Sequence, residues 1–232
     1  MFENFNPGAL VSKNDNIIKA ASDGNVALLQ DSLSKGADPD YHLRDTSALQ
    51  LAIANGHFEI ANILIDAGAN VNVRNRMSWR PIHEAARIGN LELMDKLIEK
   101  GARIYVSDDE GHSLVRVAID NNQIDVLKKF ISIEANNTEG KDKEGVTNLM
   151  AAVLSKNIEM VELLLSDGCD PYAKPSNEGF TFSSLLEEWP EGKAKFGKYS
   201  QSVQEKEAIE IAQELNKQEA GVSSIIKKRR PS

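Results

Sequence analysis

Apolar residues recur every three or four positions in Phe58-Glu59-Ile60-Ala61-Asn62-Ile63-Leu64-Ile65. They do so again in Ile158-Glu159-Met160-Val161-Glu162-Leu163-Leu164-Leu165, and both runs predict amphipathic helices. A shorter pattern precedes each, around residues 49–55 and 82–88, so helices are expected in pairs. Small neighbours such as Ala85-Ala86 and Ala151-Ala152 allow adjacent helices to approach closely. Gly56 and Gly89 end the first helices, because glycine adopts a positive φ at little steric cost.

The paired pattern repeats. Ala20, Ala52, Ala85, Ala118 and Ala152 are spaced by 32, 33, 33 and 34 residues, and four residues after them stand Gly24, Gly56, Gly89, Asn122 and Lys156. Sixteen residues after each Ala comes Gly36, Gly68, Gly101, Glu134 or Gly168. Four of these open related turns: Gly36-Ala37-Asp38, Gly68-Ala69-Asn70, Gly101-Ala102-Arg103 and Gly168-Cys169-Asp170. A fixed period of this length predicts a solenoid in which each unit is a helix, a turn, a second helix and a projecting turn.

The units resemble the ankyrin repeat family, whose signature runs Gly-x-Thr-Pro-Leu-His-x-Ala-Ala, then a Gly-His turn, then Leu-Leu-x-x-Gly-Ala-Asp-x-Asn. Arg80-Pro81-Ile82-His83-Glu84-Ala85-Ala86 with Gly89-Asn90 matches best, and Ser47-Ala48-Leu49-Gln50-Leu51-Ala52 with Gly56-His57 is nearly as good. The unit at Gly111-His112-Ser113-Leu114 diverges most, since Asn122 and Glu134 replace both turn glycines. The resemblance implies an all-α ankyrin-repeat solenoid of stacked helix-turn-helix units with projecting β-turn fingers. Its expected division is an N-terminal extension (1–12), a capping unit (13–41), units 42–73, 74–106, 107–140 and 141–173, and a partial unit (174–187).

Leu186 restarts the Ala register 34 residues after Ala152, and Trp189-Pro190-Glu191-Gly192 is expected to stop that helix, because proline lacks an amide hydrogen. Residues 188–217 read as an extended turn, with a polar stretch from Lys193 to Ser200, followed by a capping helix introduced by Ser202 and Glu205. An alternative is that this last helix undocks and binds a partner. Residues 218–232 read as a flexible tail, and its Lys227-Lys228-Arg229-Arg230 either is solvated or serves as a nuclear import signal.

Composition narrows the function. Aromatic residues are only 6% of the 232, which suits a line of Ala, Leu and Ile layers rather than one bulky core. The net charge of −8 disfavours general affinity for nucleic acid or anionic lipid. From Glu187 onward there are eight acidic and nine basic residues, so the repeats carry about −9 by subtraction. The single Cys169 excludes an intramolecular disulfide and a multi-thiolate metal site, and favours a reducing compartment. No apolar run has the length of a membrane span, and the first residues do not read as a secretory signal.

No catalytic constellation emerges. His83 sits in the Thr-Pro-Leu-His slot, where the family uses imidazole to bond neighbouring loop backbone, and His57 follows a turn glycine. Asp108, Asp109 and Glu110 are expected in a solvated projecting turn, where water leaves no pKa tuned for acid–base work. Cys169 fills the Ala slot of a turn and reads as a small buried residue. No catalytic residue, cofactor or metal site is therefore expected.

In the family, the projecting turns and first helices make a concave groove that recognises partners. Carried onto this chain, that face places Arg76, Met77, Trp79, Arg80, Arg87 and Ile88 in a basic, partly apolar patch, followed by His112 and Asp120 and, farther on, Phe180. The resulting expectation is a non-catalytic adaptor or stoichiometric inhibitor that binds one protein partner, cytoplasmic and monomeric when unbound. No small-molecule substrate, nucleic acid or membrane is expected as its ligand. The alternatives are a nuclear regulatory subunit that uses the basic tail, and a host-directed bacterial effector of the ankyrin type.

Overall fold

The computed structural model describes residues 12–133, 138–173 and 180–199. Five helix pairs follow one another: α1 (Lys13–Asp23) with α2 (Val26–Ser34), α3 (Ala48–Ala54) with α4 (Phe58–Asp66), α5 (Pro81–Ile88) with α6 (Leu91–Glu99), α7 (Leu114–Asp120) with α8 (Ile124–Ile133), and α9 (Asn148–Leu154) with α10 (Ile158–Ser166). A sixth pair opens with α11 (Phe182–Glu187). Residues 190–199 are its second helix, α12.

The first helices α1, α3, α5, α7, α9 and α11 stack in succession, while α2, α4 and α6, then α8 and α10, form a second layer. The repeated Ala positions explain the close spacing: Ala20, Ala52, Ala85, Ala118 and Ala152 are all fully buried. Leu186 takes the same place in α11 and is also fully buried. The core is one continuous strip from Ile17 to Phe196, in which each layer buries the apolar stripe of the next.

Hydroxyl residues start the first helices. Ser47, Ser113, Thr147 and Thr181 accept the backbone N–H groups of Gln50, Arg116, Met150 and Ser184 at 3.1, 3.3, 3.2 and 3.1 Å. Asparagines start several second helices, with Asn25, Asn90 and Asn157 capping Leu28, Leu93 and Met160. Where His57 and Gln123 stand instead, the side chain reaches back a full unit, to the carbonyl oxygens of Ser22 and Arg87 at 3.1 and 3.0 Å. Caps therefore serve their own helix, the seam to the preceding unit or, at Asn157, whose Nδ2 also donates to Asn122 Oδ1, both.

Asn122 and Lys156 hold the left-handed conformation of the glycines they replace, with φ of 56° and 51°. An L-residue is strained there by roughly 1–2 kcal/mol, partly offset by the greater unfolded-state freedom of glycine. Exposed Lys156 is the cleaner test. Lys156→Gly is expected to raise unfolding free energy by about 0.5 kcal/mol or more, read as a higher urea midpoint at unchanged slope; an unchanged or lower midpoint refutes it.

The C-terminal reading needs correction. Residues 193–199, expected to be a polar loop, are helical: α11 ends at Glu187, before Pro190, and Pro190 itself begins the next helix. Proline is well suited to a first helical position, where its missing N–H leaves no bond unmade. Phe196 is buried 6.2 Å from the Trp189 ring. Gly192 makes that packing possible, since a Cβ there would lie 2.0 Å from the Trp189 ring. Lys195 reaches Glu162 of α10 at 2.6 Å, so α12 continues the second layer. The expected capping helix after Ser202, the alternative that it undocks, and the basic tail lie outside the described residues.

Candidate functional site: the finger row and the first-helix face

The first finger is a small hairpin in which β1 (His42–Leu43) pairs antiparallel with β2 (Thr46–Ser47), placing His42 opposite Ser47 and Leu43 opposite Thr46. Single antiparallel bridges, Ser107 with Ser113 and Lys141 with Thr147, close two later fingers. Asx side chains shape the tips. Asn75 Oδ1 accepts from Met77 N–H at 3.0 Å and Trp79 N–H at 2.9 Å. Asp108 Oδ1 accepts from Glu110 N–H at 2.9 Å and His112 N–H at 2.8 Å, and Asp142 Oδ1 accepts from Val146 N–H at 2.9 Å. Neighbouring fingers are joined by backbone: Asp109 N–H donates to Met77 O at 3.1 Å and Lys143 N–H to Glu110 O at 3.0 Å.

Asp108 departs from the expectation of a solvated acidic turn. Its side chain is only 8% exposed and also faces His112 Nδ1 at 3.2 Å. Asp109 and Glu110 are exposed, as expected.

The central patch is assembled mainly on the third unit. Met77 stands 70% exposed at a finger tip, and exposed Arg76 pairs with Asp45 of the preceding finger. Trp79 is half-buried: its Nε1–H donates to Glu84 Oε2 at 3.0 Å, and its ring centre lies 5.0 Å from that of His83. Glu84 Oε1 accepts from Arg87 Nε at 3.0 Å, and the carboxylate strengthens Arg87's hold on its proton. Ile88 is half-buried at the end of α5. Trp79, Glu84 and Arg87 are thus tied into one rigid group.

Arg80 does not join them. It is 9% exposed, and its Nη1 donates to the Asn72 carbonyl at 2.6 Å, inside the stack. A guanidinium cannot accept a hydrogen bond, so α5 lacks the hydroxyl cap of its neighbours, and His83 Nδ1 accepts the Arg80 N–H at 3.1 Å instead. His83 therefore bonds its own helix start, not the neighbouring loop, and its Nε2 has no partner. Burial holds its pKa down to about 4; Asp108 opposes that shift and Arg80 adds to it.

Farther along, exposed Asp120 accepts from Arg116 Nε at 2.8 and 3.0 Å, while Arg116 Nη1 donates to Asp142 Oδ2 at 2.8 Å. Arg116 was not singled out by sequence, although its i,i+4 relation to Asp120 was visible. Half-buried His112 is held by Asp108, and Phe180 stands 65% exposed before α11. Leu43, 53% exposed on the first finger, was also missed; at the 33-residue step from Ala52 to Ala85 it takes the place that Arg76 has in the next unit.

Cys169 is buried, donates its S–H to Thr138 Oγ1 at 3.2 Å, and has its pKa pushed up to about 11 by burial, so thiolate is scarce at neutral pH. Among the described residues no group of three His, Cys, Asp or Glu converges to hold a metal ion. Among them, too, no helix is long and apolar enough to cross a membrane.

The family model for ankyrin repeats matches residues 17–108 and 82–175. The chain is 27% identical over 167 residues to the potassium channel AKT2/3 of Arabidopsis thaliana, covering 72% of this chain and 20% of the channel. It is 27% identical over 150 residues to human SH3 and multiple ankyrin repeat domains protein 2, covering 63% of this chain and 8% of that protein. With the chicken (Gallus gallus) nuclear factor NF-kappa-B p105 subunit it shares 29% identity over 123 residues, 52% of this chain and 12% of the relative. The chain thus spans a fifth or less of the length of these curated relatives. Its period, its stacked helix pairs, its row of fingers and the family match agree, and the chain belongs to the ankyrin repeat family.

Proposed function

We propose that this chain is a non-catalytic protein-interaction module, an adaptor or stoichiometric inhibitor, that receives one protein partner along the fingers and first helices. The observation that carries the reading is the placement of exposed apolar side chains. Seven large hydrophobic residues stand exposed among the described residues, and four of them, Leu43, Met77, Leu154 and Phe180, lie on fingers or at first-helix ends. Exposed apolar groups gathered on one face, beside arginines that anchor interfaces well, favour binding there.

Charge sets the orientation of the partner. Arg44, Arg76 and Arg87 accompany Met77 and Trp79, whereas Asp109, Glu110 and Asp120 follow on the next unit, so the partner presents acidic groups to the first region and basic groups to the second. The test begins with affinity purification from native extract and identification of a reproducible partner by mass spectrometry. Met77→Asp with Leu154→Asp is then expected to weaken that purified partner by about tenfold or more, since a buried apolar anchor contributes on the order of 2 kcal/mol. Phe58→Asp, on the second helical layer, leaves affinity unchanged. Equal affinity of the groove variant and the parent, measured by calorimetry, rejects this face as the interface.

A further inference from the structure

Two departures from the repeat meet at one point. Arg80 occupies the slot that Ser47, Ser113, Thr147 and Thr181 fill in other units, and Arg103 occupies the slot of Asp38, Asn70 and Asp170. Asn72 gathers both. Its carbonyl accepts Arg80 Nη1 at 2.6 Å, its Oδ1 accepts the Arg103 N–H at 2.9 Å, and its Nδ2 donates to Gly101 O at 2.9 Å. Arg74 follows two residues later, exposed like Arg103. None of the three arginines has a carboxylate in ion-pair range among the described residues. Arg80 is 9% exposed, and its buried Nε has no hydrogen-bond partner. Burial, and then the fields of Arg74 and Arg103, weaken Arg80's hold on its proton.

We propose that Arg74, Arg80 and Arg103 form an anion-binding site for a phosphomonoester group, either on a phosphorylated side chain of a protein or on a free phosphorylated small molecule. A phosphomonoester carries about −1.5 to −2 charge at neutral pH and three acceptor oxygens, which match several guanidinium forks. A carboxylate brings one charge and two oxygens, and leaves the cluster strongly positive. The site goes beyond the finger groove: Arg80 turns away from the exposed Met77 patch, and neither exposed arginine belongs to it. Loss of one activity therefore does not entail loss of the other.

Calorimetric titration of the full chain with inorganic phosphate, against chloride of equal ionic strength, tests the site. One saturable binding event is expected, and Arg74→Gln combined with Arg103→Asp is expected to weaken it about tenfold or more. Arg103→Asp restores the repeat's usual residue, so an unchanged or higher melting temperature in chloride shows that the variant folds. Arg80→Thr, which restores the hydroxyl cap, is a second folded variant and is expected to weaken phosphate as well. A phosphoserine peptide that binds more tightly than both inorganic phosphate and its unphosphorylated copy assigns the source to a protein; equal affinity for inorganic phosphate and the phosphopeptide assigns it to a free small molecule. Absence of saturable binding, or the same phosphate affinity in the parent and the Arg74→Gln, Arg103→Asp variant, overturns the proposal.

Discussion

Acidification from pH 8 to pH 5 is expected to cost the folded protein about 2 kcal/mol through His83 alone. In the unfolded chain this imidazole titrates near 6.5, whereas in the fold burial holds it down to about 4. Between those values the unfolded state binds the proton and the folded state does not. Stability therefore falls as the pH drops from 6.5 towards 4 and is fully present above 6.5. The physical cause is local: with Nδ1 accepting the Arg80 N–H, the neutral ring carries its proton on the buried Nε2, which no acceptor faces. Protonation would add a second proton at Nδ1 against that N–H, so an imidazolium would be buried with neither proton paired and the cap lost. His83→Met copies Met150, which fills the corresponding slot of the fifth unit and is also buried. Urea unfolding of both proteins at pH 8, 6 and 5 separates this effect from carboxylate protonation. The variant is expected to be less stable at pH 8 and to lose about 2 kcal/mol less than the parent on going to pH 5. Parallel pH profiles for the two proteins would remove His83 as the cause.

Leu97→Ala is expected to be the more damaging change at neutral pH, at about 3 kcal/mol. Leu97 is fully buried in α6, which packs on α5 and on the preceding second helix, α4. Deleting its branched end leaves a void between helices whose backbones already lie close across fully buried Ala61, Ala85 and Ala86, so little collapse can refill it. In a stack where each unit contacts only its neighbours, weakening the third unit also loosens the seams on either side of it. A broadened or two-step urea transition should accompany the lower midpoint. Leu154→Ala is the control, because that side chain is 54% exposed and its truncation should change stability by no more than about 0.5 kcal/mol. A loss below about 1 kcal/mol for Leu97→Ala would mean that the layers repack far more freely than their tight burial implies.

Much of the fold was legible because it is written in local, periodic chemistry. Ala at a fixed step followed by Gly needs no long-range information: the small residue permits the close helix and the glycine ends it. Even the substitutions were readable, since Asn122 and Lys156 adopt the positive φ of the glycines they replace. The C-terminal helix was missed where two local signals competed. Pro190 and the many lysines of residues 193–198 suggested a break and a loop, whereas the spacing of Trp189, Gly192, Phe196 and Tyr199 carried a helical stripe. Burial of Trp189 and Phe196 decided in favour of the stripe.

The candidate face was legible in outline and not in detail. Arg76, Met77 and Phe180 are exposed where the repeat register put them, but Arg80, three residues from Met77, is buried. No local rule distinguishes these arginines. Which way Arg80 turns depends on the Asn72 carbonyl, and Asn72 is itself held by the backbone of Gly101 and Arg103 in the following unit. Asp108 is similar: the sequence marked an acidic turn, and only the finger geometry aims its carboxylate at two backbone N–H groups and His112.

The sequence by itself determined the repeat, the helix pairs, the finger positions and the family, because each follows from spacing along a single unit. Only the tertiary structure decided which charged side chains face the solvent, which cap a helix and which meet across a seam. Those outcomes depend on partners about 30 residues away, and the repeat brings such partners together without stating what they will do there.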